Sequence, residues 1–445
     1  MKNWFKRLFD GKDSPAAAPA VPAPLARLSS SSEPAAPVPG VRRPLVAANG
    51  DVAGFEFTLA ASIEDRLRRR ADPVAHAAHA ISLMLAMRPA VEAEQIALAH
   101  LRAELLMRPE VIAQLPAGAW LCLSPGAEST AASTAASEQD MPKLLVALRG
   151  CGVRVGTQLS PAQAPAGGVK FDFTVMAMDA GGVESLIAAV GALRKSGATD
   201  AIIATGLPDV DAIERALAAG ATLASGSFNA QVAAPRQRTL NGDVLRIIQL
   251  LNAVRDERQP LGDLTRELRG DVGLCYRLLR HVNSPAMGLT RSVESIDQAV
   301  LILGRSELYR WLSVLLLAAV SGRRSSRALQ EISLARARML ELLARECGTE
   351  PPDALFTVGL LSLLNVMLEV PMSQALQPLR LSESAHNALL DHSGPWHAML
   401  TLSEALERHD LDGVDSVAAQ FGGTERVMAL SDSAWRWAMA VHRNA

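Results

Sequence analysis

The sequence predicts an α/β barrel followed by an all-α helical bundle. Between Val41 and Pro235, short β-type runs alternate with alanine-rich helical runs, a pattern of parallel βαβ units that favours a TIM-like barrel or a fragment of one. From Thr239 onward nearly every segment has helical periodicity. The pattern changes near 233–238, so we expect a domain boundary there. The predicted divisions are 1–40, 41–235 and 236–445.

The barrel region contains short strand candidates separated by helix candidates. The predicted strands are Val52–Phe57, Ala119–Leu123, Val153–Gln158, Val169–Val175, Ala201–Thr205 and Thr222–Leu223. The predicted helices are His76–Met87, Glu92–Leu106, Pro142–Leu148, Val183–Ser196 and Asp209–Ala218. The strand candidates would form the barrel wall, with the helices packed outside it.

The helical region has its clearest signals between Cys275 and Ala319. Cys275, Leu278, Leu279 and Val282 form an apolar stripe that stops at Asn283–Ser284, because a residue before proline avoids the α conformation. Gly288 suits a turn with positive φ. Ser295 and Gln298 have capping-box spacing for a second helix, which Gly304 closes. A third helix is predicted from the apolar positions Leu308, Trp311, Leu312, Leu315, Leu316 and Ala319.

Composition narrows the classes of function. The 445 residues carry a net charge of -2, so no general positive field for binding nucleic acid is expected. They are 49% hydrophobic, which is enough to form a core. The four cysteines, Cys122, Cys151, Cys275 and Cys347, have no C-x-x-C pairing, which favours buried thiols in a reducing compartment. No uncharged apolar run approaches about 18 residues. We therefore expect a cytoplasmic protein without a transmembrane segment.

Residues 1–40 combine a short amphipathic segment with a linker of low complexity. The first nine residues place Trp4, Phe5, Leu8 and Phe9 among basic side chains. The alanine, proline and serine that follow cannot bury enough surface to offset ordering entropy, so a disordered linker is predicted. The aromatic segment is a candidate for docking on a partner or for weak contact with a membrane surface, and a simple disordered tail is the alternative.

The helical signature resembles that of the HDOD domain, an all-helical relative of the HD phosphohydrolases that retains the fold and lacks the metal. The residues that carry this resemblance are Arg277, Leu278, Leu279, Asn283, Ser284, Gly288, Ser295, Ile296, Gln298, Ala299 and Gly304. We expect Asn283 and Ser284 to bond to backbone groups at the helix end, with Arg277 and Arg280 on the solvent side. The alternative is that the exposed face of this helix pair recognises a partner protein.

The HD resemblance also implies where a metal centre has been lost. HD enzymes place adjacent His and Asp after an apolar helix, where this chain has Ser362 and Leu363. Leucine cannot bind a metal, and a hydroxyl is a poor ligand compared with imidazole. The upstream helix around 334–338 contains no histidine. Other histidines, at positions 76, 79, 386, 392, 397 and 409, are interpreted as surface, loop or cap residues.

Residues 41–235 are similar to the EAL domain, the barrel that hydrolyses cyclic di-GMP in bacteria. Glu56 stands where that family has the Glu of its naming motif, and Lys170 with Asp172 matches its lysine-x-aspartate strand. These three residues are the candidate residual ligand cleft. The family's two-cation chemistry needs several carboxylates and an Asn, and most of those positions hold other residues here, including 121–123 and 205–208.

The two resemblances imply a bacterial signal-transduction adaptor. Both enzyme-derived domains would be degenerate, without catalytic residues, metal or cofactor, and would act through contacts with other signalling proteins, within regulation linked to cyclic di-GMP. A receptor that binds cyclic di-GMP without hydrolysis is one alternative, and a residual cyclic di-GMP phosphodiesterase is another. Nucleic-acid binding is not expected, because the helical region has no basic stripe.

Overall fold

The first half of the structure is a closed eight-stranded barrel. This computed structural model describes residues 41–58, 73–124, 131–162, 170–228, 242–284, 287, 289, 291–320, 323–349, 351–408 and 410–442. The strands are β1 (Val41–Ala47), β2 (Val52–Thr58), β3 (Ile96–Arg102), β4 (Trp120–Ser124), β5 (Arg154–Leu159), β6 (Phe173–Ala177), β7 (Ala201–Leu207) and β8 (Leu223–Gly226). Strand order around the barrel follows the chain, and β1 closes it against β8.

One strand departs from the predicted all-parallel arrangement. β1 runs antiparallel to both β2 and β8, whereas the pairs from β2–β3 to β7–β8 are parallel. A tight turn at Asn49–Gly50 joins β1 directly to β2 without an intervening helix. Gly50 has φ +86°, in the left-handed region that favours glycine. The sequence pattern did not reveal β1, since two arginines and a proline interrupt its apolar alternation.

The third strand was wrongly predicted as part of a helix over Glu92–Leu106. Ala97, Ala99 and Leu101 face the surrounding helices, while Leu98 faces the apolar barrel interior. With apolar residues on both faces, the segment lacks clean alternation, and its alanine-rich composition favours helix. Barrel pairing with β2 and β4 overrides that local preference.

The remaining predicted strands are close to those observed. β6 begins at Phe173, four residues later than the predicted start at Val169, which itself lies outside the described residues. β8 spans Leu223–Gly226, whereas the prediction stopped at Leu223. The barrel helices are α1 (Pro73–Glu92), α2 (Pro109–Ile112), α3 (Ala131–Gly150), α4 (Gly182–Ser196) and α5 (Val210–Ala219).

The second half is helical throughout its described residues. Its helices are α6 (Gly242–Arg255), α7 (Leu261–Arg269), α8 (Val272–Val282), α9 (Ile296–Ala319), α10 (Ser326–Cys347), α11 (Pro352–Leu361), α12 (Leu364–Leu368), α13 (Met372–Leu376), α14 (Glu383–His386), α15 (Gly394–Arg408), α16 (Leu411–Ala418) and α17 (Thr424–His442). The long helix α10 is its centre and packs against α11, α15 and α17. This architecture agrees with the predicted bundle.

The predicted helix limits in the signature region are confirmed. α8 ends at Val282, and Ser295 caps α9 by accepting a hydrogen bond from the Gln298 amide at 3.3 Å. Gly304 interrupts α9 with a non-helical conformation (φ 67°, ψ −177°). The predicted second and third helices are therefore the two arms of a kinked helix.

The two halves share a polar and aromatic interface. Glu214 of α5 accepts hydrogen bonds from the Ser325 amide at 3.0 Å and from the Ser325 hydroxyl at 2.6 Å, just before α10. The amide of Ala328 donates to the carbonyl of Gly50 at 2.9 Å. Phe55 of β2 meets Trp435 of α17 edge to face, with 5.0 Å between ring centroids. Barrel and bundle are thus joined at several separate points.

Two further predictions concern membrane spans and thiols. α1 is long and apolar enough to cross a membrane by length and composition, but it packs one face, including Leu83 and Met87, into the core.

The four cysteines are free thiols. Cys122 is buried, whereas Cys151 and Cys347 are exposed, so the prediction of buried thiols is wrong for those two.

Candidate functional site

The barrel interior has an apolar layer and, beyond it, a polar group that we call the cup: Arg43, Glu56, His100 and Ser225. Strand alternation directs these side chains inward from β1, β2, β3 and β8. Leu98, Trp120 and Phe173 belong to the apolar layer. Along β3, His100 follows Leu98 toward the carboxyl end of the strand, the end at which TIM-type barrels carry their active sites.

Glu56 is the centre of the cup. It is only 4% exposed, and its Oε1 lies 3.1 Å from His100 Nε2. Its Oε2 accepts a hydrogen bond from the Ser225 hydroxyl at 3.1 Å and lies 3.6 Å from an Arg43 nitrogen. A buried carboxylate needs such partners to remain charged. Both oxygens of Glu56 are therefore engaged by groups of the chain itself.

His100 supplies positive charge to the cup. Burial acts to lower the pKa of His100, but hydrogen bonds with Cys122 and Glu56, together with their electrostatic attraction, outweigh it and hold that pKa well above its usual value. The contact with Glu56 thus favours the protonated imidazole. With Arg43 also cationic, two positive groups face the one carboxylate.

The predicted cleft of Glu56, Lys170 and Asp172 does not form. Asp172 precedes β6 at its amino end, where its carboxylate accepts hydrogen bonds from the Arg149 guanidinium at 2.9 Å and from the Val155 amide at 2.8 Å. Lys170 lies on the surface, 3.8 Å from Asp200. The prediction of this cleft is wrong because β6 begins after Lys170 and Asp172. Both residues therefore lie at the end of the barrel opposite the cup.

The bundle contains a second charged group, which we call the Arg336 cluster: Arg336, Ser362, Glu404 and Glu407. It includes Ser362, which the HD resemblance aligns with a metal-binding histidine. The guanidinium of Arg336 is 1% exposed and donates to both Glu407 oxygens, at 2.7 and 2.6 Å. It also donates to the Ser362 hydroxyl at 3.1 Å. Glu404 lies 3.6 Å away.

Close helix packing brings this cluster together. Gly359 of α11 lies against α10 so tightly that a Cβ there would fall 2.6 Å from the Ala337 backbone. The contact places Ser362, one residue past the end of α11, beside Arg336. Leu363 is 1% exposed and belongs to the apolar core. A cationic side chain thus occupies the place where the HD pattern would hold metal ligands.

Neither site fits the divalent cations that the two resemblances imply. The described residues contain no group of three or more His, Cys, Asp or Glu side chains arranged to hold a metal ion. In the cup one carboxylate faces two cations, and in the cluster a guanidinium uses both oxygens of Glu407. Hard divalent cations require several oxygen ligands and excess negative charge. We therefore derive no metal-dependent step.

The polar signature residues have mainly structural contacts. The Asn283 side chain donates to the Val293 carbonyl at 2.7 Å and accepts from the Val293 amide at 2.6 Å, which confirms its predicted bonding to backbone. The Ser284 hydroxyl is buried and makes no hydrogen bond within the described part of the chain, so that prediction is wrong. Arg277 and Arg280 are exposed, as expected. Gly288 lies outside the described residues, as do Trp4, Phe5, Leu8, Phe9 and His409.

Sequence reasoning missed the central residues of both sites. His100 lay inside the segment predicted as helix, and Arg43 lay in the strand that was not predicted. The available signal for His100 was its spacing from Leu98 and Arg102, which places all three on one face of a strand. For Arg336, the signal was a pair of arginines, Arg336 and Arg338, among the alanine and leucine residues of 334–340, because buried charges are normally paired.

A comparison with protein families identifies the second half. The family model for the HDOD domain matches residues 243–395. Over this segment the chain is similar to HDOD domains. The match begins at α6 and ends at the start of α15, so it includes α10 and Ser362. Glu404 and Glu407 lie beyond the matched segment of the HDOD domain.

Two curated relatives are similar to parts of the chain. "Uncharacterized protein YuxH" of Bacillus subtilis is 31% identical over 179 residues, which are 40% of this chain and 44% of that protein. "Cyclic di-GMP phosphodiesterase CdgJ" of Vibrio cholerae is 27% identical over 235 residues, 52% of this chain and 54% of that protein. The chain therefore spans about half the length of the curated relatives it matches.

Solved EAL domains are similar to part of the chain. The FimX EAL domain of Xanthomonas citri, solved with c-diGMP, is 10% identical with a TM-score of 0.33, covering 42% of this chain and 83% of that one. The FimX EAL domain of Pseudomonas aeruginosa, bound to c-di-GMP, is 14% identical with a TM-score of 0.33, covering 42% and 86%. These scores are low, and the closed barrel is established by its strand pairing.

Proposed function

We propose that this protein is a non-catalytic signal-transduction adaptor that acts through protein–protein contacts of its EAL-like barrel and HDOD domain. The observation that carries the proposal is that cationic side chains fill both sites: Arg43 and His100 in the cup, and Arg336 in the cluster. The HDOD match and the similarity to CdgJ support a place in cyclic di-GMP-linked regulation. A cytoplasmic location is part of this proposal.

The charges in both sites argue against a hydrolytic role. Attack on a phosphodiester by metal-activated water needs ligands that are free to coordinate the cations. Glu56 and Glu407 each hold a cation of the protein, and a metal ion at either carboxylate would have to displace that cation. Removing one member of a buried pair costs about 3–5 kcal/mol. This cost opposes metal binding at either position.

The HDOD domain offers a surface for a partner. On α8, Val272 is 83% exposed and Tyr276 is 65% exposed, and they are four residues apart on one helix face. On α9, Leu301 is 68% exposed. Tyrosine and exposed aliphatic side chains are typical of protein interfaces. We assign partner contact to the face of α8 that carries Val272 and Tyr276.

A hydrolysis assay tests the non-catalytic part of the proposal. Full-length protein is incubated with cyclic di-GMP and Mg²⁺ or Mn²⁺, beside an active EAL enzyme as positive control. We expect no turnover above the rate without protein. Turnover that disappears in Glu56→Gln would contradict the proposal, because it would make Glu56 a working ligand.

A capture experiment tests the partner surface. Tagged full-length protein with Tyr276→Ser is compared with wild type and with Val146→Ser, a matched control at a barrel position that is 70% exposed. We expect Tyr276→Ser to reduce recovery of cross-linked partners from the native host at least several-fold, while the control recovers wild-type amounts. Equal recovery by all three proteins would reject this face as the contact surface.

A receptor that binds cyclic di-GMP without cleavage is the second candidate. The observation that favours it is positive charge at the barrel mouth, since Arg102 follows His100 on the same strand face and adds to Arg43. Isothermal titration with cyclic di-GMP, with and without Arg102→Gln, tests it. Micromolar binding that is weakened at least tenfold by the substitution would favour the receptor.

A further inference from the structure

A single strand connects the cup with the HDOD half of the molecule. Arg43 of β1 points into the barrel, where one guanidinium nitrogen lies 3.6 Å from Glu56 Oε2. Its other terminal nitrogen donates to the carbonyl of Arg408 at 3.2 Å. Arg408 is the last residue of α15, so this hydrogen bond satisfies a carbonyl that the helix leaves free. One side chain therefore contacts the cup and the end of a helix in the other half.

The neighbouring residue holds the strand in place. Strand alternation directs Arg42 outward, where it pairs with Asp432 of α17. Its guanidinium also lies 5.4 Å from the Phe55 ring centroid and 5.7 Å from that of Phe57. Burial, followed by the charge of Arg436, lowers the pKa of Arg42 to about 10, which leaves it protonated at neutral pH. β1 is thus fixed against α17 on one face while Arg43 reaches α15 from the other.

The same helix α15 carries the carboxylates of the Arg336 cluster. Glu404 and Glu407 lie in its last turn, and Glu407 holds the guanidinium of Arg336. Arg336 in turn reaches Ser362 after α11. Polar contacts at the two ends of this route, joined by the last residues of α15, therefore link the cup to the cluster. Such series can carry coupling when both ends bias one element.

We propose that Arg43 transmits the charge state of the cup to α15 and thereby to the Arg336 cluster. Anything that neutralises or engages Glu56 weakens the hold on Arg43, which then caps α15 less firmly. The inference rests on the proposed adaptor function, for which it supplies the internal route between the two halves. Linkage requires the reverse effect as well, so a partner that binds α15 would alter the cup.

Hydrogen exchange on the full chain tests this route. We compare wild type with Arg43→Gln, Glu56→Gln and the double variant, following peptides from residues 394–408. We expect each single variant to raise exchange at the end of α15 by about three- to tenfold, as loss of one solvent-exposed hydrogen bond predicts. The double variant should match Arg43→Gln, because both changes act through one side chain.

Two control variants show whether a change in α15 exchange is specific to the route through Arg43. Asp172→Asn breaks the Arg149 pair at the opposite barrel end and should leave α15 at its wild-type rate. Ser225→Ala removes a milder contact to the same Glu56 oxygen. It replaces Glu56→Gln as the test if that variant does not fold, and it should shift hydrogen exchange in α15 in the same direction. Unchanged α15 exchange in Glu56→Gln, additive effects in the double variant, or an equal response to Asp172→Asn would each overturn the route. Hydrolysis of cyclic di-GMP would instead refute the adaptor and leave the exchange result standing.

Discussion

At the scale of single residues, the Arg336 cluster is the part of the bundle in which a buried charge depends most on its partners. A guanidinium that is 1% exposed can remain charged only because Glu407 and Ser362 satisfy it. Burial acts to lower the pKa of Arg336, but the attraction and hydrogen bonds of Glu407 prevail and raise it. At the other partner, burial outweighs the attraction of Arg336 and raises the pKa of Glu407, so acid weakens the ionised pair.

Replacing one member of this pair should be costly. We predict that Arg336→Met lowers the free energy of unfolding by about 3 kcal/mol, because it leaves Glu407 buried without its partner. The double variant Arg336→Met, Glu407→Leu should recover most of that loss, since apolar side chains of similar volume need no partner. Chemical denaturation of the full chain measures both. A single variant within about 0.5 kcal/mol of wild type would show that the pair is unimportant.

His281 predicts a dependence of stability on pH. Its ring is 1% exposed and stacks on Trp311, with 6.3 Å between centroids, and burial lowers the pKa of His281 to about 4. The unfolded chain takes up this proton near pH 6.5, so stability is fully present above pH 6.5 and falls as the pH drops toward 4. The expected loss from His281 is about 2–3 kcal/mol between pH 7 and 4.5.

Denaturation of His281→Phe at the same two pH values isolates this contribution. The phenyl ring keeps the stacking on Trp311 and cannot bind a proton, so its loss of stability on acidification should be smaller than that of wild type by about 2 kcal/mol. Equal losses in the two proteins would mean that His281 does not control the acid sensitivity.

At the scale of elements, the kink in α9 divides one long helix into two arms. Gly304 adopts φ 67°, which side chains rarely tolerate. We predict that Gly304→Ala destabilises the protein by about 1 kcal/mol or more. Gly262→Ala in α7 is the matched control, because that helical glycine has open space around it and alanine favours helix. Thermal unfolding should separate the two, and equal or higher stability of Gly304→Ala would contradict the explanation.

The elements also show what sequence could and could not predict. The helix end at Val282, the Ser295 cap and the break at Gly304 follow from local chemistry, so the sequence predicted them. β3 could not be predicted in the same way, because its strand form depends on hydrogen bonds to β2 and β4 that are distant in sequence. The cup shares this difficulty, since its members come from β1, β2, β3 and β8. Asp172 was predicted at the wrong position for a related reason. The predicted start of its strand was four residues too early, and this error moved Asp172 to the wrong end of the barrel.

At the scale of the whole molecule, the interface determines whether the two halves behave as one unit. Buried and half-buried polar contacts join them: Glu214 holds Ser325 and lies 3.4 Å from Arg323, and Arg42 pairs with Asp432. The first attachment lies just before α10, and the second lies on α17, which packs against α10. An adaptor of this construction can pass a change in one half to the other only while these contacts hold.

Calorimetry of the full chain tests whether the two halves unfold together. We predict a single unfolding transition for wild type, and in Glu214→Ala either two resolved transitions or a clear broadening, because Ser325 and Arg323 lose their acceptor across the interface. Glu184→Ala is the control: this carboxylate pairs with Arg215 on the barrel surface, so one transition should remain. Two well-separated transitions in wild type would mean that the halves are independently stable, and the coupling through β1 would then lack the rigid connection on which it depends.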